Sequence, residues 1–458
     1  MRRALALLLL VAACSAGSKT ATPTPTPTPT YAATATVSAS PSPAPVGSAD
    51  WTTYGGNAQR SSAVPGPDPV RPATAWTAKL DGRVYASPLV VSGKVIAVTQ
   101  GGSVYALDLA TGHVVWRRQV ATPVPGSALP CGNIDPISFT GTPVYDARTG
   151  LVFAVTTEAG VRHVLHAIRA DTGAIAWSRA VDAPGADPAT HLQRAALLLA
   201  GTTVYIAYGG NYGDCGQYQG RVVATSTNGT GPLRTFAVPT KREAGIWGAS
   251  GPALLPDGDL LVTTGNGEAF GGTWDKSDSV LRLSPTLSLL DGFAPTSWAK
   301  ENSDDADLGS MGPLLLTGAR QVLTAGKGGN AFLLDVDRLG GVGGQRAKLD
   351  GCQAYGGGAV LPDGALLPCD AGLMRVSTTG DRLRKVWQSD VVGSPLVVGS
   401  TAWVVDQSGQ ATGLSVATGR KVAQLDVGAA TRFAKPAYSG GLVLLPTKAG
   451  IVAVRLQG

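Results

Sequence analysis

The chain has 458 residues, of which 61 are Gly and 31 are Pro. About one residue in five is therefore one of these two, against roughly 12% in average proteins, which is a turn-rich composition. Hydrophobic residues make up 44%, charged residues only 15%, and the net charge is +6, so core material is ample and the dense basic field that nucleic-acid partners require is excluded.

Arg2 and Arg3 precede an unbroken apolar run from Ala4 to Ala13. The run is too short to span a bilayer and has the order of a secretory signal: charge, apolar core, small residues. It ends in Val11, Ala12, Ala13, Cys14, which resembles the lipobox of bacterial lipoproteins. The resemblance implies a signal peptide at residues 1–13, cleavage before Cys14 and a diacylglyceryl group on its sulfur, hence an extracytoplasmic protein lipid-anchored to the cell membrane. The alternative is an ordinary secreted chain with a Cys near its cleavage site. Residues 14–50 then form a Thr/Pro/Ala-rich tether, with alternating Thr and Pro from Thr22 to Thr30. Such composition buries no core and extends by about 3 Å per residue, a reach on the order of 100 Å.

From Trp51 onward the sequence repeats. Residues 86–120 divide into four short β-rich runs separated by Ser-Gly, Gly-Gly and Thr-Gly turns. The fingerprint Ala106, Asp108, Thr111, Gly112, Trp116 returns as Ala167, Thr172, Gly173, Trp177, and more weakly at 413–423. A period of roughly fifty residues is that of propeller blades. The last unit has three runs, 434–439, 441–446 and 450–456, and lacks a fourth. The orphan strand at 73–80, carrying Trp76, is expected to complete it, giving an all-β, eight-bladed propeller over residues 51–458 whose last four-stranded antiparallel blade is closed by an N-terminal strand.

This pattern, the WTTYGGNAQRSS opening (51–62) and the TGNG tetrapeptide (264–267) together resemble the pyrroloquinoline-quinone-like, or quinoprotein alcohol dehydrogenase-like, β-propellers. That group holds both quinoprotein dehydrogenases and non-catalytic relatives such as the lipoprotein of the Gram-negative outer-membrane assembly machine. The blade assignment places Cys131 and Cys215 in loops of one face, and Cys352 and Cys369 in the same two loop classes of blade 6. Two disulfides are predicted, 131–215 and 352–369.

The dehydrogenase resemblance implies roles for four residues. Trp247 is similar to the indole beneath the quinone, Asn266 to an amide ligand of its calcium, Asp305 to the catalytic base and Lys327 to the lysine near the quinone oxygens. Each also has a structural reading: a left-handed turn for Asn266, a channel plug for Trp247, a solvated acidic loop, ENSDDAD (301–307), for Asp305. The chain departs from the dehydrogenases in having no Cys-Cys pair, no clear acidic calcium ligand and no C-x-x-C-H haem motif. The glycine-rich loop 209–220, with Tyr212, Asp214 and Tyr218, has the composition of a recognition surface and equally of a disulfide-pinned loop. His191 is the histidine placed nearest the functional face.

These residues support a binding or scaffolding protein of the cell envelope, with an envelope protein or cell-wall ligand as partner, no nucleic acid and no cofactor. The alternatives are a dehydrogenase dependent on pyrroloquinoline quinone (PQQ) and calcium, acting on alcohols or sugars, and a carbohydrate-binding module.

Overall fold

The structure, a computed structural model, describes residues 50–316, 318 and 320–457. The expected signal peptide, Cys14 and the expected tether up to residue 49 lie outside the described residues. Eight sheets follow one another along the chain and form a ring, each built on four antiparallel strands. Blade 1 is representative, with Leu89–Val91 innermost, then Lys94–Val98, Ser103–Asp108 and the outer Val114–Gln119. The three inner strands are covered on both faces by neighbouring blades, so they are almost wholly buried and read as apolar runs. The outer strands are largely exposed and mix polar with apolar residues. Buried side chains accordingly gather between adjacent sheets, as in the cluster joining blades 1 and 2 and that joining blades 2 and 3.

The ring closes as the sequence predicts. Ala73–Lys79 pairs antiparallel with Gly450–Arg455, with Trp76 opposite Ala453, and completes the sheet of Ala437–Ser439 and Leu442–Pro446. The repeat fingerprint explains how blades register on one another. In three blades the indole of the outer-strand Trp lies on the Thr-Gly turn of the next blade: Trp76 on Gly112, Trp116 on Gly173 and Trp387 on Gly419. Each indole N–H donates to a carbonyl of that turn region, from Trp76 to Leu109 (2.9 Å), Trp116 to Ala170 (3.2 Å) and Trp387 to Val416 (2.9 Å). At Gly173, φ is +72° and a Cβ would stand 2.5 Å from the Trp116 ring, so both backbone and packing require glycine.

The opening segment 51–62 has a role that the repeat pattern does not disclose: it occupies the axis of the ring. Trp51 exchanges backbone hydrogen bonds with Val90 of blade 1, and Thr52 accepts from Tyr145 of blade 2. Ala58 accepts from Leu254 of blade 4, Ser61 from Val360 of blade 6 and Ser62 from Val397 of blade 7. The buried Arg60 guanidinium donates to Leu197 and Pro252 carbonyls of blades 3 and 4. A single segment can reach the inner strands of six blades only from the centre. Residues Ala63–Val64 then leave it by pairing in parallel with Leu396–Val398. Among the described residues no helix is long and apolar enough to cross a membrane.

Candidate functional site

One cavity of about 1130 Å³ opens on the face where the inner strands begin. Its walls come from loops that enter these strands and, in blades 3, 4, 5, 7 and 8, from those between the second and third strands. The four residues implied by resemblance, Trp247, Asn266, Asp305 and Lys327, all line it. They arrive from different loops of blades 4 and 5, and backbone hydrogen bonds lace those loops together. Gly265 N donates to Gly245 O, Ala244 N to Asn266 O, and Lys327 N to Asp307 O. The site is therefore carried by inter-loop ladders rather than by free tips.

The acidic run is solvated only in part: Ser303, Asp304 and Asp305 are exposed, whereas Glu301, Asn302 and Asp307 are buried. Residues Trp298–Ser303 form a short helix whose Glu301 and Asn302 are buried. Asn302 accepts from Gly267 N (2.7 Å) and donates to Ala269 O (2.6 Å), so the helix clamps the TGNG turn. Nor is Asn266 in a left-handed turn, since neither it nor Gly265 or Gly267 has positive φ. The flanking glycines are needed for close approach: a Cβ on Gly265 would lie 2.0 Å from the Asp307 carboxylate.

Asp307, which the resemblance did not single out, is the centre of the polar cluster. Its carboxylate accepts from Asn266 N (2.9 Å), meets the Asn266 side-chain amide, and forms an ion pair with Lys327. Lys327 also donates to Asp305 at 2.8 Å, but the Asp305 side chain is 70% exposed, against 8% for Asp307. The second carboxylate of DAD was the only available signal. Burial raises the Asp307 pKa, with Lys327 and the Asn266 N–H opposing. Burial by itself lowers that of Lys327, but Asp307 and Asp305 outweigh it and hold the ammonium protonated. Beneath them Asp278, also buried and raised chiefly by desolvation, accepts from Leu308 N and fixes the start of the turn that follows Asp307.

An aromatic and cationic group faces this cluster. Trp247 meets Phe433 of blade 8, with ring centroids 6.1 Å apart, and Phe433 stacks with Tyr355 of blade 6 at 6.3 Å. Phe433 holds φ +66°, an uncommon conformation for a bulky residue. The buried Arg194 lies 5.8 Å from the Phe433 ring and 5.9 Å from Tyr85.

Of the two roles considered for the loop 209–220, the structure shows the disulfide-pinned one. The disulfides join Cys131 to Cys215 and Cys352 to Cys369, and the first pins this loop at the cavity edge. Tyr212 is 69% exposed there, whereas Tyr218 is buried and donates to Asp214 at 2.6 Å. Tyr218 is thus a wall residue rather than part of an open recognition surface. His191 is buried between the Asp187 and Gln219 carbonyls, with its ring edge-on to Tyr208 and Tyr218, and is outside the cavity lining.

The cavity fits a flat, polyanionic aromatic cofactor in size and lining: an indole face, Lys327 and Arg194 for carboxylates, and volume at the upper end of small-molecule sites, which run to about 1,000 Å³. A calcium ion finds less. The Asn266 amide nitrogen donates to the Asp307 carboxylate, which turns its Oδ1 away, Lys327 already neutralises Asp307, and among the described residues no group of three His, Cys, Asp or Glu is placed to hold a metal. A shell of six to eight oxygens would need the cofactor and water to supply the rest.

Comparison with known proteins agrees with this fold. The family described as outer membrane protein assembly factor BamB matches residues 68–279. A polyvinylalcohol dehydrogenase of Sphingopyxis sp. (strain 113P3) is 25% identical over 323 residues, 62% of this chain, and the match spans 46% of that relative's length. Among solved structures, quinohemoprotein alcohol dehydrogenase ADHIIG from Pseudomonas putida HK5 superposes with TM-score 0.68 at 14% identity, covering 89% of this chain and 80% of its own. BamB from Moraxella catarrhalis gives 0.61 at 14% identity, covering 84% and 99%. The chain therefore has the eight-bladed fold of the pyrroloquinoline-quinone-like β-propellers, and these matches make it similar to them in sequence.

Proposed function

We propose that the protein is a quinone-dependent dehydrogenase of alcohols, with PQQ as the cofactor of the cavity. The reading rests on one observation: Trp247, Asn266, Asp305 and Lys327, spread over 81 positions of sequence, line a single cavity together with Asp307. Similarity to a polyvinylalcohol dehydrogenase supports it over a purely scaffolding role, which the assembly-factor relatives represent.

In this reading Trp247 would stack the ring system and Lys327 and Arg194 would receive its carboxylates, while Asp307, and Asn266 once its amide turns from Asp307, would offer oxygens to a calcium ion. A bound quinone supplies the two-electron acceptor. The protein's own part is to orient and to move a proton. Asp307, buried and raised by desolvation, accepts the proton of the substrate hydroxyl at its carboxylate, and the Lys327 ammonium stabilises the charge that remains. This assigns the base to Asp307 and leaves Asp305 to position Lys327. The lipid anchor at Cys14 is proposed to hold this activity outside the cytoplasm.

The test is reconstitution. Purified full chain given PQQ and calcium should show quinone absorbance and dye reduction with primary or secondary alcohols. Failure to bind the quinone at micromolar concentration would remove the reading and return the envelope-binding role to first place.

A further inference from the structure

The cavity is electrically divided. Asp214, Asp304, Asp305 and Asp307 all belong to the loops of blades 3 to 5, with Lys327 among them. Across the cavity stand Arg83, Arg432 and Lys448, from loops of blades 1 and 8. Hydrogen bonds hold these loops together: Val84 N donates to Thr447 O, Lys448 N to Ala429 O, and the Thr431 side-chain hydroxyl to Val84 O. Three cations are thus gathered at one junction. Arg432 stacks over Tyr355 and Phe433 at 4.9 and 5.0 Å, yet among the described residues none of the three has an ion-pair partner. Like charges assembled without a counterion repel, and an anion relieves that cost.

The neighbours of these cations narrow the class of anion. Gln353 and Gln407 line the same side, are exposed, and make no side-chain hydrogen bond to another described residue. Tyr85 stands partly exposed beside them, while the ring of Tyr355 is covered by Phe433 and Arg432. Free amides suit hydroxyl groups, aromatic faces suit the C–H faces of a sugar ring, and guanidinium or ammonium groups suit carboxylate. A bare inorganic anion would use only the last of these.

We infer that the sector of Arg83, Arg432, Lys448, Gln353 and Gln407 is a subsite for an acidic polyol, a carboxylated sugar of the uronate kind. This deepens the proposed function by naming the class of ligand the same cavity takes, and it rests on that reading only in treating the ligand as substrate.

The test is calorimetric titration of the full chain, without quinone or calcium, using tetragalacturonate, neutral maltotetraose and inorganic phosphate as probes. Tetragalacturonate should bind at least tenfold more tightly than either of the others, and its affinity should fall as salt rises from 20 to 200 mM. The double variant R83Q/K448Q, altered at two exposed side chains, should lose about tenfold for tetragalacturonate and nothing for maltotetraose. Equal binding of acidic and neutral probes, phosphate binding as tightly as the sugar acid, no binding of tetragalacturonate, or an unaffected double variant would each overturn the inference. A parallel PQQ titration separates it from the proposed function. If the sugar acid binds while the quinone does not, only the dehydrogenase reading falls. If R83Q/K448Q loses quinone affinity but not tetragalacturonate affinity, the cations serve the cofactor and the subsite is refuted.

Discussion

The indole of Trp247 and the phenyl ring of Phe433 lie 6.1 Å apart although they come from blades 4 and 8, four positions apart in a ring of eight. Their contact across the axis makes an aromatic platform at the head of the segment that fills the channel. Trp247→Ala should weaken PQQ binding by about 10- to 100-fold, because a stacked ring loses its face, while the blades themselves stay folded. Absorbance titration measures it, and wild-type affinity in the variant would exclude Trp247 as the stacking residue.

The two carboxylates of DAD should separate kinetically. Asp307→Asn is expected to lower turnover by about 10³-fold, within the range for loss of a general base, and Asp305→Asn by about tenfold or less. Since burial raises the Asp307 pKa and the base must be ionised, kcat/KM should fall on acidification along a limb above the ordinary aspartate range. Steady-state pH profiles of the two variants decide between them, and a larger loss for Asp305→Asn would reverse the assignment.

Two glycine substitutions test how the blades register. Gly93 and Gly173 have similar φ, +74° and +72°, but a Cβ meets nothing within 4 Å at Gly93 and the Trp116 indole at Gly173. Gly93→Ala should cost about 1 kcal/mol from backbone strain, and Gly173→Ala roughly 3 kcal/mol because overpacking is added. Equal shifts in urea midpoint would show that the indole yields freely.

The axial segment depends on Arg60. Its side chain donates to Pro252 O at 3.0 Å, Thr53 Oγ1 at 2.6 Å and Leu197 O at 2.9 Å, all buried. Arg60→Met should destabilise the protein by about 3 kcal/mol, since two buried carbonyls and a hydroxyl lose their donor. Chemical denaturation reads this, and a loss below about 1 kcal/mol would mean that the segment is held by its backbone bonds instead.

A buried histidine gives stability a defined pH dependence. His166 sits between Thr156 and Ser178, with Glu158 3.8 Å away, and desolvation lowers its pKa from 6.5 to about 4. The folded protein keeps it neutral while the unfolded chain protonates it. Its contribution is therefore complete above pH 6.5 and is lost as pH falls toward 4, amounting to about 2 kcal/mol by pH 5. His166→Asn should remove that increment from the difference between unfolding at pH 7 and pH 5. An identical difference in the variant would place the dependence elsewhere.

Circular closure was legible in the residues because both of its causes are local. Four-strand units with Thr-Gly turns and outer-strand tryptophans recur at a countable spacing, and the unit at 434–456 is visibly one strand short. The cysteine pairs followed from knowing which loops share a face. The position of Trp247, Asn266 and Lys327 around one cavity could be anticipated only through resemblance, since nothing in their spacing brings them together.

What tertiary structure alone decided is which carboxylate matters and what fills the axis. Asp305 and Asp307 are two residues apart in an acidic run, and only the clamp of Asn302 on the TGNG turn buries one and leaves the other in water. Likewise the segment 51–62 carries no repeat signal, because its partners are backbone groups on six blades up to 335 positions distant, as with Val397 and Ser62. Periodicity records contacts that recur along the chain, whereas a cavity and an axis are made once, by closing the ring.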